Sequence, residues 1–308
     1  MKAVLLMGHG GPEMLRYGEA PDPVAGTGEV VVDIHAASVN AADYKVRRGS
    51  GVYSKIPFPH ILGRDFSGVV RSLGVGVTDL AVGDAVFGVT EQGVEGAYAE
   101  KIAIKAAIVA RKPDRLGHAE AAALGLTSLT ALWALEDTAR LRSGETILIQ
   151  GGAGGVASFA IQLAKHIGAM VITTASAGNH AYVRSLGADR VIDYRTQDFA
   201  TLVSDCDVVF DTVGGEVRAG CYAVLKRGGR LVWIAPAPDG FKPPRSDVET
   251  LRPNVQRDRA HLQRMLQLLE AGAVKPPTIG RYPLADAAEA HRVSEGRHLQ
   301  GKLVLEVR

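Results

Sequence analysis

Small residues at positions 152, 154 and 157 carry the clearest chemical signal in this chain. In the segment TILIQGGAGGVASFAIQLAK (146–165), Gly152, Gly154 and Ala157 read as G-x-G-x-x-A. A first glycine permits a tight turn, a second lets the backbone approach a pyrophosphate, and a small third residue lets helix and strand pack closely. Gly155 and Val156 then open a helix whose free N–H groups and positive dipole end would meet the phosphates. The chemistry is that of dinucleotide binding.

The residues beyond the turn bear on which dinucleotide. A site that selects a free ribose 2′-hydroxyl carries Asp or Glu about 20 residues past the fingerprint. Here Thr173, Thr174, Ala175, Ser176, Ala177 and Gly178 fill that stretch, and no acid follows until Asp189. An acid would repel a 2′-phosphate, whereas hydroxyls with His180, Arg184 or Arg195 nearby would bind one. NADPH is favoured over NADH. Other chemistries have less to stand on: the two cysteines, Cys206 and Cys221, are fifteen positions apart, and the nine histidines are scattered without an H-E-x-x-H pair. His60 and His291 read as surface or hydrogen-bonded histidines. Tyr98 and Lys101 are three apart and miss the four-residue Tyr-Lys spacing of short-chain dehydrogenases.

A glycine turn works only between a strand and a helix, and the pattern supplies both. From about Ala119, apolar runs (146–150, 170–175, 190–194, 207–212 and 230–235) alternate with amphipathic stretches, the signature of a parallel sheet covered on both faces. After the first run, Val156, Phe159, Ala160, Leu163, Ala164 and Ile167 recur at helical spacing and Gly168 ends the helix. Up to about Arg111 the texture is different: short β-rich runs such as 28–40 and 68–77, broken by Gly, Pro and Asp turns. A Pro-rich stretch at 236–244 precedes an amphipathic helix around Leu262, Met265, Leu266 and Leu269, and β-like runs return after Gly272. An α/β nucleotide domain is thus inserted in a β-rich one. With 308 residues, 46% apolar and 22% charged, the chain has room for two ordinary cores. The net charge of +2 and the lack of a basic block argue against nucleic acid as main partner, and the start MKAVLLMGHG reads as a strand rather than a signal or membrane segment.

With these residues placed, the chain resembles the medium-chain dehydrogenase/reductase superfamily, and within it the zinc-independent quinone oxidoreductase branch that includes zeta-crystallin-like proteins. The matching segments run along the whole chain: ASVNAADYKVRRG (37–49), LGRDFSGVV (62–70), VGDAVFG (82–88), LTSLTALWAL (126–135), the glycine turn, LGADRVIDY (186–194), VVFDTVGG (208–215), KRGGRLVWI (226–234) and LQGKLVLEV (299–307). The turn departs from the family's G-A-x-G-G-V-G at Gly152 and Ala157, a change that leaves cofactor binding intact. The resemblance implies a GroES-like catalytic domain (1–121, completed by 264–308) around a doubly wound Rossmann domain (122–263), with the cofactor in the cleft.

It also implies the site. Where zinc-dependent relatives carry a Cys ligand and a G-H-E motif, this chain has Asn40, Arg64 and Asp65; a guanidinium repels a cation, and no Cys precedes position 206. The expected site holds no metal. Asn40, Tyr44, Tyr53 and Arg64 are expected on the catalytic side, with Tyr53 as the donor facing substrate and Asn40 as a nicotinamide or substrate positioner. Arg64 either attracts an anionic oxygen or pairs with Asp65 or another acid. Thr130, Val213, Gly214, Ile234 and Ala235 are expected around the nicotinamide, with Ser176, His180, Tyr194 and Arg195 completing the cofactor side. Hydride transfer from NADPH to a quinone or α,β-unsaturated carbonyl is the implied reaction, because conjugation spreads the developing charge to an oxygen that hydrogen bonds can stabilise without a Lewis acid. The competing expectation is a redox-silent NADPH-binding sensor or structural protein on the same fold. A cytoplasmic homodimer is expected, paired through a sheet edge within 246–252.

Overall fold

The computed structural model describes residues 1–91, 93–296 and 298–308. Its contacts divide into two compact units, one of Met1–Leu126, Arg257–Arg264 and Pro276–Arg308, the other of Thr127–Gln256 and Met265–Lys275. The borders expected at 121/122 and 263/264 therefore fall inside helices, His118–Leu132 and Arg259–Glu270. Residues 265–275 belong with the second unit because the Gln162 side chain bonds the Lys275 backbone twice, accepting from its N–H (2.9 Å) and donating to its carbonyl (3.3 Å).

The first unit is built on a largely antiparallel sheet in the order Ile279–Pro283, Lys302–Glu306, Glu29–Val39, Asp65–Leu73, Ala85–Val89, Val109–Arg111, with Lys101–Lys105 also paired to Glu29–Val39. The long β-branched strand is the hub, and its Val30, Val32 and Ile34 pack with Phe66, Val86, Tyr98, Leu303 and Leu305 in the core. A smaller sheet pairs Lys2–Leu6 with Leu15–Glu19 and His60–Ile61. It places the residues just after Ile61, including Arg64, beside the core.

The second unit is a parallel sheet in the order Arg190–Ile192, Met170–Thr174, Thr146–Ile149, Cys206–Asp211, Leu225–Trp233, Glu249–Leu251. The strand earliest in sequence, Thr146–Ile149, lies in the middle. The order runs outward from it to Arg190–Ile192 on one side and from Cys206–Asp211 to Glu249–Leu251 on the other, so the strand order switches between Thr146–Ile149 and Cys206–Asp211. In such sheets ligands bind at the carboxyl ends of the strands at that switch point. The helix Gly155–Ile167 ends at Gly168, whose φ of 95° is the left-handed cap expected of a glycine. The expected stripe is broader in the fold: Ala157, Ser158, Ile161 and Gln162 are buried too, since the 272–275 segment covers the helix's other side.

Candidate active site

The glycine turn follows the Thr146–Ile149 strand at the switch point. Gly151 has φ 68°, a conformation a side chain resists, and a Cβ on Gly152 would overlap the Thr173 hydroxyl. That hydroxyl cannot step aside freely, because it donates to the Ile149 carbonyl at 2.6 Å. Gly154 caps the helix Gly155–Ile167 in extended conformation, and no side chain caps that end. The first-turn N–H groups are therefore left for an outside acceptor, with the helix dipole behind them. The residues present fit the pyrophosphate of a dinucleotide.

Beyond the turn the structure revises one expectation. Thr173 and Thr174 do not face a 2′-phosphate: Thr174 donates to Gln150 Oε1 (2.7 Å) and accepts from the Gly151 N–H (3.0 Å), so both threonines brace the turn from behind. Asp189 lies at the far end of the sheet, where it accepts from the Val171 N–H (2.7 Å) and pairs with Lys165. The strand end next to the turn is thus free of this acid. Ser176 and His180 sit at that end, with the Ser176 hydroxyl accepting from Asn179 (3.3 Å) and the His180 ring 3.2 Å from the Ala175 carbonyl. Tyr194 and Arg195 follow the adjacent Arg190–Ile192 strand and are exposed.

Two neighbouring loops are held by a pair that local spacing did not reveal. Asp211, at the end of its strand, accepts from the N–H groups of Val213 (3.0 Å) and Gly214 (2.8 Å) and binds buried Arg218 at 2.6 Å. Arg218 also donates to the Ala235 carbonyl (2.5 Å), and Ile234 donates to the Asp211 carbonyl (3.1 Å). Val213, Gly214, Ile234 and Ala235 are thereby brought together at the carboxyl edge of the sheet. Thr130 is buried in the helix His118–Leu132.

In the first unit Tyr53 lies in the short Gly51–Lys55 turn, and its hydroxyl is 2.9 Å from Arg64 Nη2. The same nitrogen donates to Glu95 Oε1 (3.1 Å), while Glu95 Oε2 is 3.2 Å from His60 Nε2. Arg64 pairs with Glu95, not Asp65. Burial works against the Glu95 carboxylate, yet the His60 hydrogen bond and the Arg64 charge hold it below the usual range. Tyr44 is buried, with the Arg48 guanidinium 5.6 Å above its ring.

Asn40 caps the helix Ala41–Arg47 and sits in a buried polar network. Its Nδ2 donates to Asp65 (2.7 Å) and more weakly to the Ser38 carbonyl (3.4 Å), and its Oδ1 accepts from Lys302 (2.7 Å). Both amide N–H groups are engaged, leaving one oxygen lone pair for anything else. Asp65 also accepts from Ser38 (2.5 Å) and the Leu126 N–H (2.7 Å), so it serves as a structural tie. Behind Asn40, Asp43 accepts from the Asn40 N–H and the Tyr98 hydroxyl, both at 2.8 Å, and Tyr98 is 3.2 Å from buried His291. Burial pushes the Asp43 carboxyl up to about 6.

Glu95, Asp43, Lys302, Asp211 and Arg218 are the residues sequence reasoning passed over. Only Asp43 carried a local signal, three positions after a capping Asn. One pair, Tyr222 and Lys226, does have the four-residue Tyr-Lys spacing, but the fold separates their roles: Tyr222 bonds Thr250 (2.8 Å) and Lys226 pairs with Asp207. Cys206 and Cys221 are buried, and burial pushes the Cys206 thiol up to about 12. Among the described residues no three His, Cys, Asp or Glu side chains gather as a metal set.

With the geometry in place, comparison with known proteins identifies the class. Residues 26–114 match the alcohol dehydrogenase GroES-like domain family, and residues 186–305 the family described as zinc-binding dehydrogenase. An Arabidopsis thaliana chloroplastic protein named NADPH-dependent alkenal/one oxidoreductase is 35% identical over 99% of this chain and 79% of its own length. The quinone oxidoreductase of Coxiella burnetii superposes with a TM-score of 0.93 at 34% identity, covering 100% of this chain and 99% of that one. The Escherichia coli quinone oxidoreductase complexed with NADPH does so with a TM-score of 0.91 at 27% identity over the full length of both. The chain belongs to the medium-chain dehydrogenase/reductase superfamily, in its quinone oxidoreductase branch.

Proposed function

We propose that this chain is an NADPH-dependent oxidoreductase that reduces quinones or α,β-unsaturated carbonyl compounds without zinc. The observation that carries the reading is Arg64: where zinc-dependent relatives place a histidine ligand, a buried guanidinium is tied to Glu95 and holds the Tyr53 hydroxyl. A fixed cation at that point disfavours a metal ion and favours a substrate oxygen gaining negative charge. NADPH, when bound, supplies the hydride.

The protein's own residues do the rest. The turn at Gly152 and Gly154 and the helix end at Gly155 and Val156 hold the pyrophosphate, while Ser176, His180, Tyr194 and Arg195 receive the ribose end. The Asp211–Arg218 pair shapes the loops carrying Val213, Gly214, Ile234 and Ala235, which with Thr130 place the nicotinamide. Tyr53 donates to the substrate oxygen, Arg64 supports it electrostatically, Tyr44 lines the same side, and Asn40 positions through its remaining lone pair. A reducing, cytoplasmic setting fits two buried thiols, and among the described residues no helix is long and apolar enough to cross a membrane.

The test is NADPH oxidation by the purified protein against 1,2- and 1,4-quinones, alkenals and enones, with metal content measured on the same sample. Turnover of about one per second or more on one class, unaffected by chelators, is expected, together with a dissociation constant for NADPH at least about tenfold below that for NADH. Tight NADPH binding with no turnover on the whole panel would support a redox-silent cofactor-binding protein instead. One firmly bound zinc per chain would overturn the metal-free site.

A further inference from the structure

We propose that Glu95 is a positioning residue that orients the Tyr53 hydroxyl through Arg64, an inference that rests on the reading of Tyr53 as the substrate-facing donor. The polarity of the chain of contacts follows from chemistry alone. Arg64 has N–H donors and no acceptor, so in its 2.9 Å contact with Tyr53 the phenol oxygen must accept. The phenol's own hydrogen is therefore kept for another partner.

What decides where Nη2 points is Glu95. That nitrogen has two hydrogens: one is taken by Glu95 Oε1 at 3.1 Å, and the other is left for Tyr53. The Arg64 guanidinium lies 5.8 Å above the Tyr53 ring and its Nε is buried without a partner. The Asp43 charge also favours the cation, but among the described residues Glu95 is the carboxylate that hydrogen-bonds it and so fixes the direction of Nη2. Glu95 is itself anchored from two directions. His60 holds its second oxygen, and the backbone on either side is pinned, with the N–H groups of Gly96 and Ala97 both donating to the Gly63 carbonyl at 3.1 Å and Thr90 donating to the Arg64 carbonyl at 2.9 Å. Residues 63–64 and 95–97 thus form one rigid platform. A Tyr53 oxygen already accepting from a cation is a stronger donor, since hydrogen bonds in a chain polarise one another.

The experiment is a double-mutant cycle on kcat/KM for the best enone or quinone, with NADPH as cofactor. Tyr53→Phe alone should lower kcat/KM about ten- to a hundredfold and Glu95→Gln alone about tenfold, with the KM for NADPH unchanged in both. Glu95→Gln added to Tyr53→Phe should cost less than about twofold more, because the residue acts only through the phenol. A loss that multiplies fully in the double variant, or no loss from Glu95→Gln, overturns the positioning role while leaving Tyr53 as donor. A silent Tyr53→Phe removes the donor reading and this inference with it. Glu95→Gln leaves a buried guanidinium without its countercharge; if that variant fails to fold, Glu95→Asp, which keeps the charge but draws the oxygens back from Arg64 Nη2, takes its place in the cycle, with the same coupling expected.

Discussion

At the residue scale, buried and half-buried ionisable side chains of the first unit make this a protein whose stability depends on pH in a narrow window. Burial, with help from the His35 charge, lowers His118 from the ordinary 6.5 to about 4, and burial near Arg47 lowers His291 to about 3. A histidine depressed in the folded state stays neutral there while the unfolded chain takes up a proton, so stability falls as pH drops below about 6.5. Asp43 acts in the opposite sense. Its folded carboxyl, raised to about 6 from 3.8, holds a proton that the unfolded chain lacks between those values. Two protons against one leave the unfolded state ahead, and His35, lowered by burial as well, adds to the same side, so stability should fall as pH drops from about 6.5 to 5. Urea midpoints measured across that range check it, and a flat midpoint would sink it.

At the element scale, the strand, turn and helix at 146–167 form a unit whose tolerances are set by backbone contact. Gly152 shows how tight they are, because the Thr173 hydroxyl that a methyl group would meet is locked to the Ile149 carbonyl. Gly152→Ala must therefore break that bond or move the turn. The expected cost is about 1 to 3 kcal/mol in unfolding free energy, the usual range for overpacking. Because Ala is the residue common at this position in the family's turn, NADPH affinity should fall only if the strain is relieved by moving the helix end rather than by turning Thr173 aside. Denaturant melts and calorimetric titration read the two effects separately. A variant with parental stability and parental affinity would mean the turn is looser than its contacts imply.

At the scale of the whole molecule, the parallel sheet ends at Glu249–Leu251, a three-residue edge strand paired on one side to Leu225–Trp233. Of the charges that could blunt this edge, Asp247 is bound by Arg245 and the Arg252 guanidinium lies 5.1 Å over the Trp233 ring, while Glu249 is exposed on the strand itself. Among the described residues no further strand pairs this edge, and a two-fold mate would supply the same strand in return, which is the basis for expecting a homodimer. Sedimentation at micromolar concentration should give twice the chain mass. A monomer would show that the short edge is tolerated in water.

Much of the cofactor half was legible because its information is local. Strand, glycine turn, helix and left-handed stop occupy one continuous segment, each set by spacing and residue type, and the absence of an acid after Thr174 needed only counting. The family segments along the chain carried the fold in the same way. What spacing could not supply were partners distant in sequence. Arg64 finds Glu95 31 positions away, Asn40 finds Lys302 262 positions away, and Tyr98 finds His291 193 positions away. Nor could it say that Thr173 and Thr174 turn inward, since a hydroxyl next to a strand end serves either the ligand or the backbone. The sequence by itself determined that a dinucleotide fold of this family would form. Which charges are neutralised, which hydroxyl is left free to donate, and which polar groups are spent on structure were decided by tertiary packing, because a buried polar group must find its partner wherever the fold brings one within reach.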